Sequence, residues 1–250
     1  MKKGKFTKSK SAKRSGVKLV ALVLVMALLI GGAIGGTLAW LTDTTKSVTN
    51  TFTASDIDIT LQEHTYDEDE DKLTQETTDE GVDNYKMIPG WTIPKDPFVT
   101  VEAGSEDCWV FVKVEEAGGN VTVDNVTYTF DDFIDYTVLS GKTNGNVEGT
   151  YWTPLGDSYP GVYCCKVKNI TSNVVLPVIG YVDTKDTAAT TDDVVVEDVV
   201  LVKNTVTKGM MDAITNENKP NLTFTAYASQ LMKNNTDEFS AVEAWANVNS

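Results

Sequence analysis

The sequence predicts an all-β fold, an antiparallel sandwich or barrel carrying one or two short helices. Three observations predict it. Residues 56–62 alternate strictly, with Ile57, Ile59 and Leu61 on one face and polar residues on the other. About ten short runs rich in Val, Ile, Thr, Tyr and Phe follow, many separated by Gly and Asn turns such as 116–120 and 141–146. Helical spacing is visible in only two places, 207–214 and 237–247.

Taken in order, the apolar positions Val48 and Phe52 sit on the opposite parity to Ile57. The phase flips around Ala54-Ser55, so a bulge or break separates residues 48–53 from the strand at 56–62. Strands at 97–102 and 107–115 are joined by the turn-forming Ala103-Gly-Ser-Glu106. In the second, Val110, Val112 and Val114 form one face, Trp109 and Phe111 the other, so it must be covered on both sides. Further strands are expected at 125–130, 134–139, 161–167, 174–182, 194–202 and 221–228. The last helix is expected to start from Thr236 or Asp237 as its cap, with Phe239, Val242 and Trp245 on its apolar face.

The first 39 residues stand apart. Eight basic side chains and no acidic one precede or border Leu19–Ile30, a twelve-residue apolar core that ends in Gly31-Gly-Ala-Ile-Gly-Gly36. That core suits a signal peptide and falls short of the roughly 20 residues that span a bilayer. Thr37 and Ala39 are small residues three and one positions before Trp40, which places cleavage between Ala39 and Trp40. An uncleaved anchor is the alternative, since no charge lies between Leu19 and Ala39. Residues 40–250 are expected to be a single β-sandwich domain, secreted after cleavage and tied to the membrane only through an uncleaved signal.

Charge sharpens the division. The chain carries 21 basic and 36 acidic residues, a net −15; without its leader, 13 basic face 36 acidic, a net −23. So acidic a body is repelled by nucleic acid and by anionic membranes. One histidine excludes any site that needs two imidazoles.

Three cysteines allow at most one internal disulfide, from Cys108 to Cys164 or Cys165. Adjacent strand residues point to opposite faces, so only one of the pair can face Cys108. The alternative is that all three are reduced and act as small hydrophobes. Two acidic stretches, 67–71 opening a polar region to about Asn84 and 183–193, are expected to be solvated loops. Calcium is the alternative for them, although the first lacks the glycine and the closing glutamate of an EF-hand. No cofactor is otherwise expected.

The segment Gly35-Gly-Thr-Leu-Ala-Trp-Leu-Thr-Asp-Thr44, followed by Val48-Thr-Asn-Thr-Phe-Thr53 and Asp56-Ile-Asp-Ile-Thr-Leu61, resembles the N-terminus of TasA/camelysin-type exported proteins of Gram-positive bacteria, the substrates of a SipW-type signal peptidase. Residues 89–97, 99–101, 104–107 and 222–228 look like body motifs of the same group, whereas 131–157 and the acidic stretches do not. The resemblance implies a jelly-roll-like antiparallel β-sandwich, release to the cell surface or extracellular matrix, and assembly into biofilm-type fibres. The partners it implies are the SipW-type peptidase and further copies of the chain as a homo-polymer, or a related matrix protein. Members of that kind polymerise by donating the N-terminal segment freed by cleavage.

The residues make donation physically sensible. Residues 40–53 are rich in threonine and β-formers, and Trp40, Val48 and Phe52 could fill pockets along an exposed sheet edge. The other fate open to the segment is to fold back as an edge strand of its own domain. Assembly of so acidic a subunit should strengthen with salt or divalent cations, through screening.

Camelysin-like members are classed as metallopeptidases, and the resemblance carries that implication too. The sequence has no HExxH; His64, read as lying just after a strand, with Asp67 and Asp69 is the only ligand set it offers on paper. No GxSxG occurs, and no carboxylate pair is singled out. The reading is therefore of a structural protein, not an enzyme. A third alternative is a carbohydrate- or host-binding module stacking ligand on Trp109, Phe111, Trp152, Tyr159 and Tyr163. The C-terminal Ala246-Asn-Val-Asn-Ser250 shows no sorting motif, which predicts no covalent wall anchor.

Overall fold

The length of the ladder between Cys108–Ala117 (β7) and Asn221–Gln230 (β18) sets the frame of the molecule: ten residues of one strand are matched to ten of the other, from Asn221 opposite Ala117 to Gln230 opposite Cys108. The computed structural model describes residues 57–67, 72–78, 85–185 and 193–249, with the backbone of 42–46 and 49–50. The leader, the cleavage residues Thr37 and Ala39, the anchors Trp40, Val48 and Phe52, and Asp69 lie outside the described residues.

Around that ladder a six-stranded sheet orders β12 (Val147–Pro154), β13 (Val162–Val167), β7, β18, β1 (Thr42–Lys46) and β2 (Thr49–Asn50). A four-stranded sheet orders β14 (Val174–Pro177), β6 (Phe98–Val101), β3 (Ile59–Asp67) and β4 (Lys72–Thr78). Two sheets of three complete the body: β10 (Ile134–Asp135), β17 (Val199–Val202) and β5 (Thr92–Pro94); and β11 (Thr137–Val138), β15 (Ile179–Asp183) and β16 (Val194–Glu197). A small hairpin joins β8 (Val121–Val123) to β9 (Val126–Tyr128). The helices are short: α1 (Phe130–Phe133), α2 (Lys208–Asp212) and α3 (Ala241–Val248). Strand pairing among the described residues is antiparallel throughout, and the fold is all-β and sandwich-like.

Alternation builds the core. Val110, Val112 and Val114 of β7 stand opposite Ala228, Ala226 and Phe224 of β18, and Cys165 of β13 stands opposite Val110. Ile59, Val99, Val101 and Leu176 from the four-stranded sheet belong to the same buried cluster, and none of the four is solvent-exposed. Small Ala226 and Ala228 against β-branched neighbours let the layers interdigitate at interior density. Each such Val, Ile or Leu contributes about 1.5–3 kcal/mol by leaving water. The opposite face of β7 is covered as its pattern requires: Phe111, Val162, Cys164, Phe239, Ala244, Trp245 and Val248 form a second cluster under α3. Gly161 permits the close approach where β13 begins, since a Cβ there would lie 2.5 Å from the Val114 carbonyl oxygen.

Several elements differ from the sequence reading. The strand expected at 56–62 runs on to Asp67, and the polar region after it contains β4. β4 is mostly exposed, so pairing rather than apolar burial forms it, and no alternation announces it. The runs at 174–182 and 194–202 each divide in two. Val178, whose N–H donates to the Pro97 carbonyl at 2.9 Å, separates β14 from β15, and Asp198, at φ 60°, separates β16 from β17. At Val178 the chain passes between sheets while remaining apolar, which a hydrophobic pattern cannot register, whereas at the second break the polar pair Glu197-Asp198 interrupts the apolar run and is the local signal of the division.

β12 went unpredicted, because residues 149–152 bulge out between the Glu148–Lys166 and Thr153–Cys164 pairs. The last helix starts at Ala241 with Ser240 as its cap, not at Thr236 or Asp237. Those two residues donate their N–H groups to Asn234 Oδ1 in a turn, at 2.8 and 3.0 Å. Phe239 therefore precedes the helix, and Val242 faces solvent while Ala244, Trp245 and Val248 are buried.

Candidate functional site at the β1–β18 edge

β18 is flanked on one side by β7 along its whole length and on the other by β1 along part of it. Thr42, Asp43, Thr44 and Thr45 pair with Ser229, Ala228, Tyr227 and Ala226. β1 then turns back on β2, with Thr45 opposite Asn50 and Lys46 opposite Thr49. Within this chain, then, part of the N-terminal segment takes the second of its two sequence-level fates, that of an edge strand of its own domain. A ladder of four pairs is held mainly by backbone hydrogen bonds, each contributing about 0.5–1.5 kcal/mol net. Lifting β1 would leave a core strand with an open edge.

The outer face of this seam is closed by α3. Trp245 meets Phe111 at 5.3 Å between ring centres and stands edge-on to Tyr227 at 5.0 Å. The Ser240–Glu243 capping box sets the start of the helix, with Ser240 N donating to Glu243 Oε2 at 2.9 Å and Glu243 N to Ser240 Oγ at 3.3 Å. The bond to Lys233, reinforced by the cap, holds the Glu243 carboxyl down at about 2. Trp109 Nε1 donates to the Phe239 carbonyl at 2.8 Å, and Phe239 N to that of Leu231 at 2.7 Å. Yet Ser229 Oγ, Trp245 Nε1 and Asn247 Nδ2 are buried without hydrogen-bond partners among the described residues. Leaving such groups unsatisfied costs about 1–3 kcal/mol each, so the cover over β18 is less than optimal. No sequence signal marks Ser229 as buried, since a serine in a strand ordinarily reads as solvent-facing.

His64 lies within β3, not beyond its end. Its ring Nδ1 is bonded to Asp96 Oδ2, and its N–H donates to Asp96 Oδ1 at 3.0 Å. The ring packs on Phe98 at 5.3 Å. Asp67 is three positions along the strand, and among the described residues no group of three His, Cys, Asp or Glu is placed to hold a metal ion. Asp96 was the partner missed; it is distant in sequence and precedes Pro97, which keeps it extended. Beside it, Lys95 Nζ donates to Glu63 Oε2 at 2.8 Å, and burial with Asp96 and Glu197 nearby pushes the Asp198 carboxyl up.

All three cysteines are free and buried. Cys108 and Cys165 share the inner core, whereas Cys164 belongs to the cluster under α3. Cys108 stands opposite Val167, two residues from Cys165, a diagonal relationship on one face. Burial pushes all three thiols up, Cys164 to about 11.

Of the aromatics proposed as stacking surfaces, Phe111 and Trp152 are fully buried and cannot meet a ligand. Trp152 Nε1 donates to the Pro177 carbonyl at 2.7 Å. Trp109, Tyr159 and Tyr163 are half-buried beside the two clusters. No family model, no curated protein and no solved structure matches the chain.

Proposed function

We propose that this is a secreted structural protein of the cell surface or extracellular matrix that assembles by donating its N-terminal strand once a SipW-type peptidase has cleaved the leader. The observation that carries the reading is the β1–β18 ladder: four residue pairs, beside a core strand that would be left open. The same backbone bonds form whether β1 comes from its own chain or from another copy. Before cleavage the segment is tethered next to the leader, so export gates the exchange. The leader, the threonine-rich segment and the net −23 body are the sequence features in support.

The test mixes two single variants of residues 40–250, Thr42→Cys and Ser229→Cys, under mild oxidation. Donation between copies predicts disulfide-linked species containing both chains, and light scattering should show growth that salt enhances. Cross-linking confined to the double variant within one chain, with no growth, would overturn the proposal.

A further inference from the structure

Among the described residues Trp109 and Trp152 lie in strands and Trp245 in a helix, whereas Trp91 closes a turn and is 57% exposed. The turn is built to hold it there. Trp91 N donates to the Ile88 carbonyl at 3.0 Å, and Pro89 followed by Gly90 at φ 80° is the pattern of a type II turn. Two further bonds fasten it to β17: Gly90 N to the Val202 carbonyl at 2.8 Å, and Val202 N to the Trp91 carbonyl at 2.9 Å. Ile88, 41% exposed, stands at the other end of the turn. A large aromatic ring kept in water on an anchored backbone is what a preformed recognition surface requires.

Beside the ring is a cavity of about 140 Å³, lined by Tyr66, Tyr85, Lys86, Ile88, Trp91 and Thr92 among others. Tyr66 and Tyr85 pack together at 5.1 Å. The lining combines aromatic faces with the Tyr66 phenol, a threonine hydroxyl and one ammonium, the Tyr85 hydroxyl being buried, and none of the described residues in it is acidic. Its volume is small against the roughly 300–1,000 Å³ of pockets for drug-sized ligands, and suits a single ring. A hexopyranose with equatorial hydroxyls has that chemistry: flat C–H faces for tryptophan and tyrosine, and a rim of hydroxyls for Thr92 and Lys86. A neutral sugar also escapes the repulsion that a body of net −23 exerts on anionic polymers.

We propose that the Ile88–Trp91 turn and the cavity beside it form a binding site for one unit of a neutral oligosaccharide of glucose or N-acetylglucosamine type. The site is remote in sequence from β1, and its occupation does not depend on strand donation.

Trp91 is its own probe. The purified protein is titrated with cellotetraose and with chitotetraose while tryptophan fluorescence is followed, and the wild type and both Trp91 variants, which lack that reporting ring, are compared by titration calorimetry. The expected result is a saturable change with at least one of them, weakened about tenfold or more in Trp91→Ala and largely retained in Trp91→Tyr. Because the ring is exposed, both variants should unfold at the wild-type midpoint, which separates lost binding from lost fold. No saturable change with either sugar, or equal binding by Trp91→Ala, would overturn the proposal. So would a Trp91→Ala variant that alters only the protein's size in solution, which would make the turn a protein contact.

Discussion

Ser229 stands opposite Thr42 at the end of the β1–β18 ladder, with its hydroxyl buried and without a hydrogen-bond partner among the described residues. A serine in that position bears a desolvation cost that alanine does not. Ser229→Ala should therefore leave the fold unchanged and raise its stability by about 1 kcal/mol, read as a higher urea midpoint at constant slope. A loss of stability would mean that the hydroxyl has a partner after all.

The sequence made the body of the sandwich legible where alternation was clean, and failed where physics other than burial decided. Val110, Val112 and Val114 against Trp109 and Phe111 announced a strand covered on both faces, and β7 is one. β4 was hidden because its residues bury little, and β12 because its register breaks around Gly149–Trp152. The division at Val178 was hidden for the opposite reason, since apolar character continues across the change of sheet, while that at Asp198 carried a local signal in the acidic pair Glu197-Asp198. At the candidate site, the threonine-rich segment was legible as an edge-forming strand. Its partner residues 226–229, the cover by Trp245 and the pairing of His64 with Asp96 depend on long-range contacts that no local pattern encodes.

Trp152 tests the distinction between core and ligand-facing aromatics. It is fully buried at φ 40°, within the bulge of β12, and tied to Pro177. Trp152→Ala should cost about 3–5 kcal/mol through lost burial and the cavity left behind, visible in thermal or urea unfolding. Retained stability would show that the bulge relaxes to fill the space.

Thiol reactivity should follow burial. Cys108 and Cys165 lie in the inner core and Cys164 beneath α3, and burial raises all three thiols. With the fold intact at neutral pH, a thiol-specific disulfide reagent should react very slowly; in denaturant, all three should titrate at once. A single reactive thiol in denaturant would instead reveal a bridge, and the shared face makes Cys108 and Cys165 the pair to look for.

The segment leading into α3 should loosen in acid before the rest of the fold. Lys166 Nζ donates to Glu148 and Glu238 at 2.9 and 2.8 Å, and Lys168 Nζ lies 2.7 and 2.9 Å from the same two carboxylates. Glu148 belongs to β12 and both lysines to β13 or its end, whereas Glu238 comes from the chain just before α3, so only Glu238 ties that segment down. The bonds to Lys168 and then Lys166 hold the Glu148 carboxyl at about 2, and those to Lys166 and Lys168 lower Glu238 as well. A depressed carboxyl stabilises the folded state fully above its ordinary value, 4.5, and ceases to do so as pH falls toward its folded value. Both groups are solvent-accessible, so screening keeps the effect local. Amide exchange at residues 231–240 should accelerate, after correction for intrinsic rates, as pH drops from about 4.5 toward 2. Lys166 also sits 5.3 Å over the Trp109 ring, whose emission should shift across the same range. Glu238→Gln should show the faster exchange already at neutral pH and a smaller acid step, the remainder coming from the Lys233–Glu243 bond, whereas Glu148→Gln should leave the segment in place. An acid step unchanged in Glu238→Gln would mean that the capping box and the Trp109–Phe239 bond hold the segment instead.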